Sequence, residues 1–219
     1  EWVNIVAQWQ VGGNAEMYVN GVLHSTQPDL VGIPIAVDDK WYVGSDDLVA
    51  ARWWNGKLDE AMVYTDVFLS AAEINTSYTN TLAAHTDTIA WDLIDPNFAN
   101  LQLGYNYCFE DLTDLSASNR ISELKGSITY DITQNNGSWN HSAADAYIYH
   151  NSDCDVDKTN FTMMAWAQIP TTSESGSIIK VGRGSTNPDP SYANGIGLGV
   201  GSTTMDNSGN NFILLYEGI

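Results

Sequence analysis

The sequence predicts an all-β fold, an antiparallel jelly-roll β-sandwich with one short helix. Three observations point there. Apolar and polar residues alternate with a period of two through most segments that contain apolar residues. Clusters of Gly, Asn, Ser and Asp interrupt these segments roughly every 8–15 residues, the rhythm of strands and turns. Only 16% of the 219 residues are charged, which does not suit a helical bundle or a coiled coil. A chain of this length fits one large β domain or two small ones, and buries about 70% of its unfolded surface. It needs neither cysteines nor metal to make a core.

The elements follow in chain order. In Glu1–Gln10, Val3, Ile5, Ala7 and Trp9 share one face, and Trp2, Asn4, Val6 and Gln8 share the other. Gly12-Gly13-Asn14 is a turn signal, and Ala15–Val19 alternates again. Asn20-Gly21 supplies the two positive-φ residues of a tight hairpin, with Val22-Leu23-His24 as the returning strand. Lys40–Ser45 and Lys57–Thr65 are further strands. Ser70-Ala71-Ala72-Glu73 forms a capping box, and Ile74 and Tyr78 lie one turn apart, so a helix of two turns or fewer starts here. The stretch from Thr79 to Asn100 is polar and irregular, anchored by Trp91 and Phe98 and broken at Pro96, and residues 81–102 form a connecting arm. Beyond it, Ala146–Tyr149, Phe161–Ile169, Ser177–Val181, Gly195–Val200 and Asn211–Gly218 read as strands. The alternating glycines from Gly195 to Gly201 fit a strand with a closely covered face better than a phosphate loop.

Charge excludes some partners. With 8 basic and 27 acidic residues the net charge is −19, which opposes binding to nucleic-acid phosphates or to anionic membrane surfaces. No run of about 18 apolar residues spans a membrane. No basic start followed by an apolar stretch marks a signal peptide. The chain begins at Glu1 and not Met, which fits a processed product or a section of something longer. Cys108 and Cys154 are expected to form a bridge in an oxidising compartment, with two free buried thiols as the alternative. Asn75, Asn136, Asn140 and Asn160 head N-x-[ST] sequons, which are candidate glycosylation sites in an extracellular setting.

Residues 2–78 resemble the C-terminal half of a laminin-G-like, concanavalin A-like lectin domain. The matching pieces are Trp2–Ala7, Glu16–Val22, Trp41–Ser45, Asn55–Tyr64 and Leu69–Ile74. Residues 103–219 resemble the N-terminal half, through Leu103–Asp111 with Asp114 and Ser116, Ala146–Tyr149 and Asn160–Trp166. The halves, residues 1–80 and 103–219, thus stand in reverse order. Joining Ile219 to Glu1 gives a strand, a turn and a strand. Three arrangements fit: a circular permutant, one period of a tandem array, or copies that exchange halves. The last two imply a filament or array of copies at a cell or virion surface.

The sequence was searched for catalytic patterns. None of the four histidines has HExxH spacing, and no GxSxG elbow or P-loop occurs. No glutamate begins the E-x-D-x-x-E pattern of glucanases of this fold, and Asp59 and Glu60, as strand neighbours, are expected on opposite faces. Asp153, Asp155 and Asp157 begin a calcium-loop spacing, but Lys158 and Met164 stand where glycine and glutamate are required. The resemblance implies one structural Ca²⁺ near a sheet edge, with Asp59, Glu110 and Asp111 as candidate ligands and Asp46 and Asp47 at the rim. Sugar rings stack on exposed aromatics, and Trp53, Trp54 and Trp139 are the candidates, with core packing as the competing role. The expectation is a non-catalytic extracellular structural or adhesive module that contacts itself or glycans. A soluble lectin is the alternative, and a glycoside hydrolase a third.

Overall fold

The computed structural model of the protein describes residues 2–10, 12–28, 41–45, 54–84, 101–104, 116, 122–131, 137–141, 146–150, 160–168, 176–182, 195–200 and 211–216. Its elements run β1 (Trp2–Gln10), β2 (Ala15–Val19), β3 (Val22–Gln27), β4 (Trp41–Val43), β5 (Lys57–Thr65) and α1 (Ala71–Ala84). They continue β6 (Leu101–Gly104), β7 (Ser122–Lys125), β8 (Thr129–Tyr130), β9 (Trp139–Asn140), β10 (Tyr147–His150), β11 (Asn160–Gln168), β12 (Gly176–Gly182), β13 (Gly195–Val200) and β14 (Asn211–Tyr216).

The strands make two sheets, the β-sandwich expected. The first runs β3-β2-β1-β11-β5-β9-β8, with β6 also on β5, and the second runs β14-β13-β12-β4-β10-β7. Each sheet draws strands from both ends of the sequence. The centre of the first is β1 against β11, antiparallel from Trp2 opposite Gln168 to Gln10 opposite Asn160. β4 sits in the second sheet between β10 and β12. Pairing is antiparallel except at one edge, where β14 lies parallel to β13.

The period of two in β1 is expressed as burial. Ile5, Ala7 and Trp9 face the inter-sheet core, where they join Val43, Leu58, Ile148, Phe161, Ile179 and Leu198. Trp9 stacks on Phe161 with ring centroids 4.4 Å apart. The opposite face of the first sheet is also covered. Val6, Tyr18, Met62, Tyr64 and Met164 pack with Val67, Leu69 and Ile74, which belong to α1 and the segment leading into it. A strand apolar on both faces is buried on both, and β1, β5 and β11 are all of this kind.

The hairpin turn is as expected, with Asn20 at φ 49° and Gly21 at φ 74°. The helix is longer than expected. It begins at the capping box, where the Glu73 carboxylate accepts from the Ser70 N–H (2.7 Å), and it runs 14 residues. The Asn/Thr/Ser-rich run has weak helix propensity, but tertiary contacts override it. Tyr78 stacks on Trp166, and the Trp166 indole N–H donates to Thr81 Oγ1 (3.0 Å). The connecting arm is corrected accordingly: residues 81–84 are helical, and 101–104 form a strand. β7, β8 and β9, of four residues or fewer, were too short to show a period.

Candidate functional site

Two buried polar features stand out, both close to β5. The first is a break in the strand's alternation. Leu58 and Ala61 both face the inter-sheet core, with two residues between them instead of one. Opposite them the register with β11 slips between Met164 and Trp166. Glu60 sits in this bulge at φ 49°, a left-handed conformation that glycine usually supplies. The expectation that Asp59 and Glu60 point to opposite faces is therefore corrected, because the extra residue breaks the period on which it rested. Asp59 is 0% and Glu60 1% exposed. Neither Glu60 oxygen has a hydrogen-bond partner among the described residues. Burial, and then the negative charge of Asp59, push the Glu60 carboxyl well above the usual range, so it holds a proton where an exposed glutamate would not.

The second feature is His141, just past β9. It continues the β9–β5 pairing, its N–H donating to the Gly56 carbonyl (2.8 Å). The imidazole is fully buried and lies against Gly44, at the end of β4 in the other sheet. Gly44 has φ 87°, and a Cβ on it would come 2.3 Å from His141 Nδ1. Gly44 is itself tied on both sides: its N–H donates to the Ile178 carbonyl (2.8 Å), and its carbonyl accepts from the Trp54 N–H (2.8 Å). His141 Nδ1 is 3.1 Å from the Ala146 carbonyl. A carbonyl can only accept, so the proton is on Nδ1 and Nε2 carries the lone pair. Nε2 is buried with no partner among the described residues. Burial lowers the His141 pKa to about 4, against a smaller upward pull from the Ala146 carbonyl, so the ring is neutral at ordinary pH. Sequence reasoning treated His141 as one of four unremarkable histidines. The signal it lacked was spatial, since Gly44 lies 97 positions earlier in the chain.

The residues singled out from sequence are not gathered into one site. Trp54 (1% exposed) and Trp139 (5% exposed) are core side chains, so neither offers an open face to a sugar ring; this corrects their place as sugar platforms. Both sit where the sheets close, and Tyr130 packs on Trp139. Asp59 lies inside β5. Asn75 is exposed on α1, while Asn140 and Asn160 are half-buried in β9 and β11. The Thr162 hydroxyl of the Asn160 sequon is buried and donates to the Val67 carbonyl (2.9 Å). Trp53, Asp46, Asp47, Glu110, Asp111, Asn136, Cys108 and Cys154 lie outside the described residues. Among the described residues no three His, Cys, Asp or Glu side chains come together as a metal site would require. Asp59 alone of the Ca²⁺ candidates is placed, and no step is derived through the ion.

Residues 1–75 match the family model described as the concanavalin A-like lectin/glucanases superfamily. The match covers β1 to β5 and the start of α1. No curated protein and no solved structure matches the chain.

Proposed function

We propose that this sandwich is a non-catalytic structural or adhesive module of an extracellular or virion-surface assembly, and that its principal partner is its own kind. One observation carries the reading. The titratable groups most perturbed by the fold, Glu60 and His141, are sealed inside it, at 1% and 0% exposed. A general acid or base must reach within hydrogen-bond distance of a substrate, and neither group reaches the surface. The superfamily contains both lectins and glucanases, so the burial of Trp54 and Trp139 weighs in the same direction by removing two stacking faces. The net charge of −19 keeps dispersed copies soluble and sets a salt-dependent threshold for their association.

Gel filtration with negative-stain microscopy over a concentration series, beside a glycan-hydrolysis screen, tests this. Concentration-dependent assembly without hydrolysis is expected. A compact monomer at every concentration, or turnover abolished by Glu60→Gln, would contradict it.

A further inference from the structure

We infer that β3 is a copy-to-copy contact, pairing antiparallel with β3 of a second chain across a two-fold axis and joining two first sheets into one. This rests on the self-assembly reading above and names its surface. β3 is the outermost strand of the first sheet. All six of its residues are exposed, with Val22 at 67% and Leu23 at 48%. Successive side chains in a strand point to opposite faces, so the chain covers neither face of β3. The outer edge of such a strand presents backbone N–H and C=O groups that can template another strand.

Natural sheets protect their edges with lysine, proline, short length or a bulge. Val22–Gln27 contains no Lys, Arg, Asp, Glu or Pro. Its one protection is the extra residue at His24, where pairing with β2 slips between Met17 and Tyr18, and Ser25 to Gln27 stay in register beyond it.

Charge identifies the occupant. A cationic partner would be drawn to the acidic residues that give the chain its −19, and β3 offers it nothing. Two copies of this chain repel one another over most approaches, and an uncharged strand is where they meet at least cost. Full antiparallel overlap sets Val22 opposite Gln27, Leu23 opposite Thr26 and His24 opposite Ser25, so no carboxylate faces another. The same patch serves both copies, and the contact closes as a dimer.

Sedimentation velocity from micromolar to millimolar protein, at low salt and at about 1 M salt where charges are screened within about 3 Å, tests this on the full chain. The variant is Leu23→Lys/Thr26→Lys, with Val22→Lys as a milder second, each checked for unchanged circular dichroism. Added lysines reduce the net negative charge, so bulk electrostatics would strengthen association. Only loss of the edge contact weakens it. Wild-type dimers that strengthen with salt, and at least a tenfold weaker dimer for the lysine variants, are the expected result. Wild-type dimers matched by the variants overturn the assignment to β3 and leave self-assembly standing. A wild-type monomer at both salts, the outcome if this edge serves a different chain, overturns both.

Discussion

An alanine at position 44 would place its Cβ 2.3 Å from His141 Nδ1 at a backbone φ of 87°, so strain and collision fall on one residue. Gly44→Ala is expected to cost about 2–5 kcal/mol of stability, measured by chemical denaturation. A loss under 1 kcal/mol would mean that the ring does not rest there. The two sealed titratable groups have opposite pH signatures. His141 has its folded pKa lowered from 6.5 to about 4, so the unfolded chain takes up the proton first as pH falls. Its contribution is complete above pH 6.5 and is lost towards pH 4, a span worth roughly 3 kcal/mol. Glu60 has its folded pKa raised above 4.5. Its contribution is complete below 4.5 and is lost as pH rises through the folded value. Glu60→Gln is therefore expected to raise the melting temperature at neutral pH more than at pH 4.5, and a uniform shift would contradict this. Neither group was legible in the sequence. KLDEAMVYT reads as plain alternation, and nothing in it announces the one-residue slip that puts Glu60 in the left-handed region.

At the scale of elements, α1 is held to the first sheet by a buried amide. Gln8, on the outer face of β1, accepts from the Leu69 N–H (2.8 Å) and donates to the Leu69 carbonyl (2.9 Å). The same amide donates to Glu16 Oε2 (3.0 Å), which also accepts from the Tyr18 hydroxyl (2.8 Å). That hydroxyl's pKa is pushed up to about 12, by burial first and then by Glu16. Gln8→Leu keeps the volume but leaves the Leu69 N–H without its acceptor. It is expected to cost about 2–4 kcal/mol. Hydrogen exchange should show α1 losing protection while β1 and β11 keep theirs; unchanged exchange in α1 would contradict the role. The sequence showed where this helix begins, because a capping box is local. It did not show where the helix ends, because Thr81 is held by Trp166, 85 positions away. The long strands β1, β5, β11 and β12 were legible for the complementary reason, that seven or more residues carry a period of their own.

At the scale of the molecule, the core belongs to neither half of the chain. Trp9 and Leu58 from the first part pack with Ile148, Phe161 and Ile179 from the second. β1 has β2 on one side and β11 on the other, and β4 lies between β10 and β12. The sequence pattern foretold a sandwich and the two families of strands. Which strand neighbours which is long-range information that alternation does not encode, and the parallel pairing of β14 with β13 was not foreseen. Interleaving makes a direct demand. Expressed as two polypeptides divided between Ala84 and Leu101, neither piece should fold alone, since each leaves apolar sheet faces and edges in water. Mixed, they should recover the circular dichroism and the single unfolding transition of the intact chain. If either piece alone gave a native-like cooperative transition, the two parts would be separate units and the shared sandwich would be refuted.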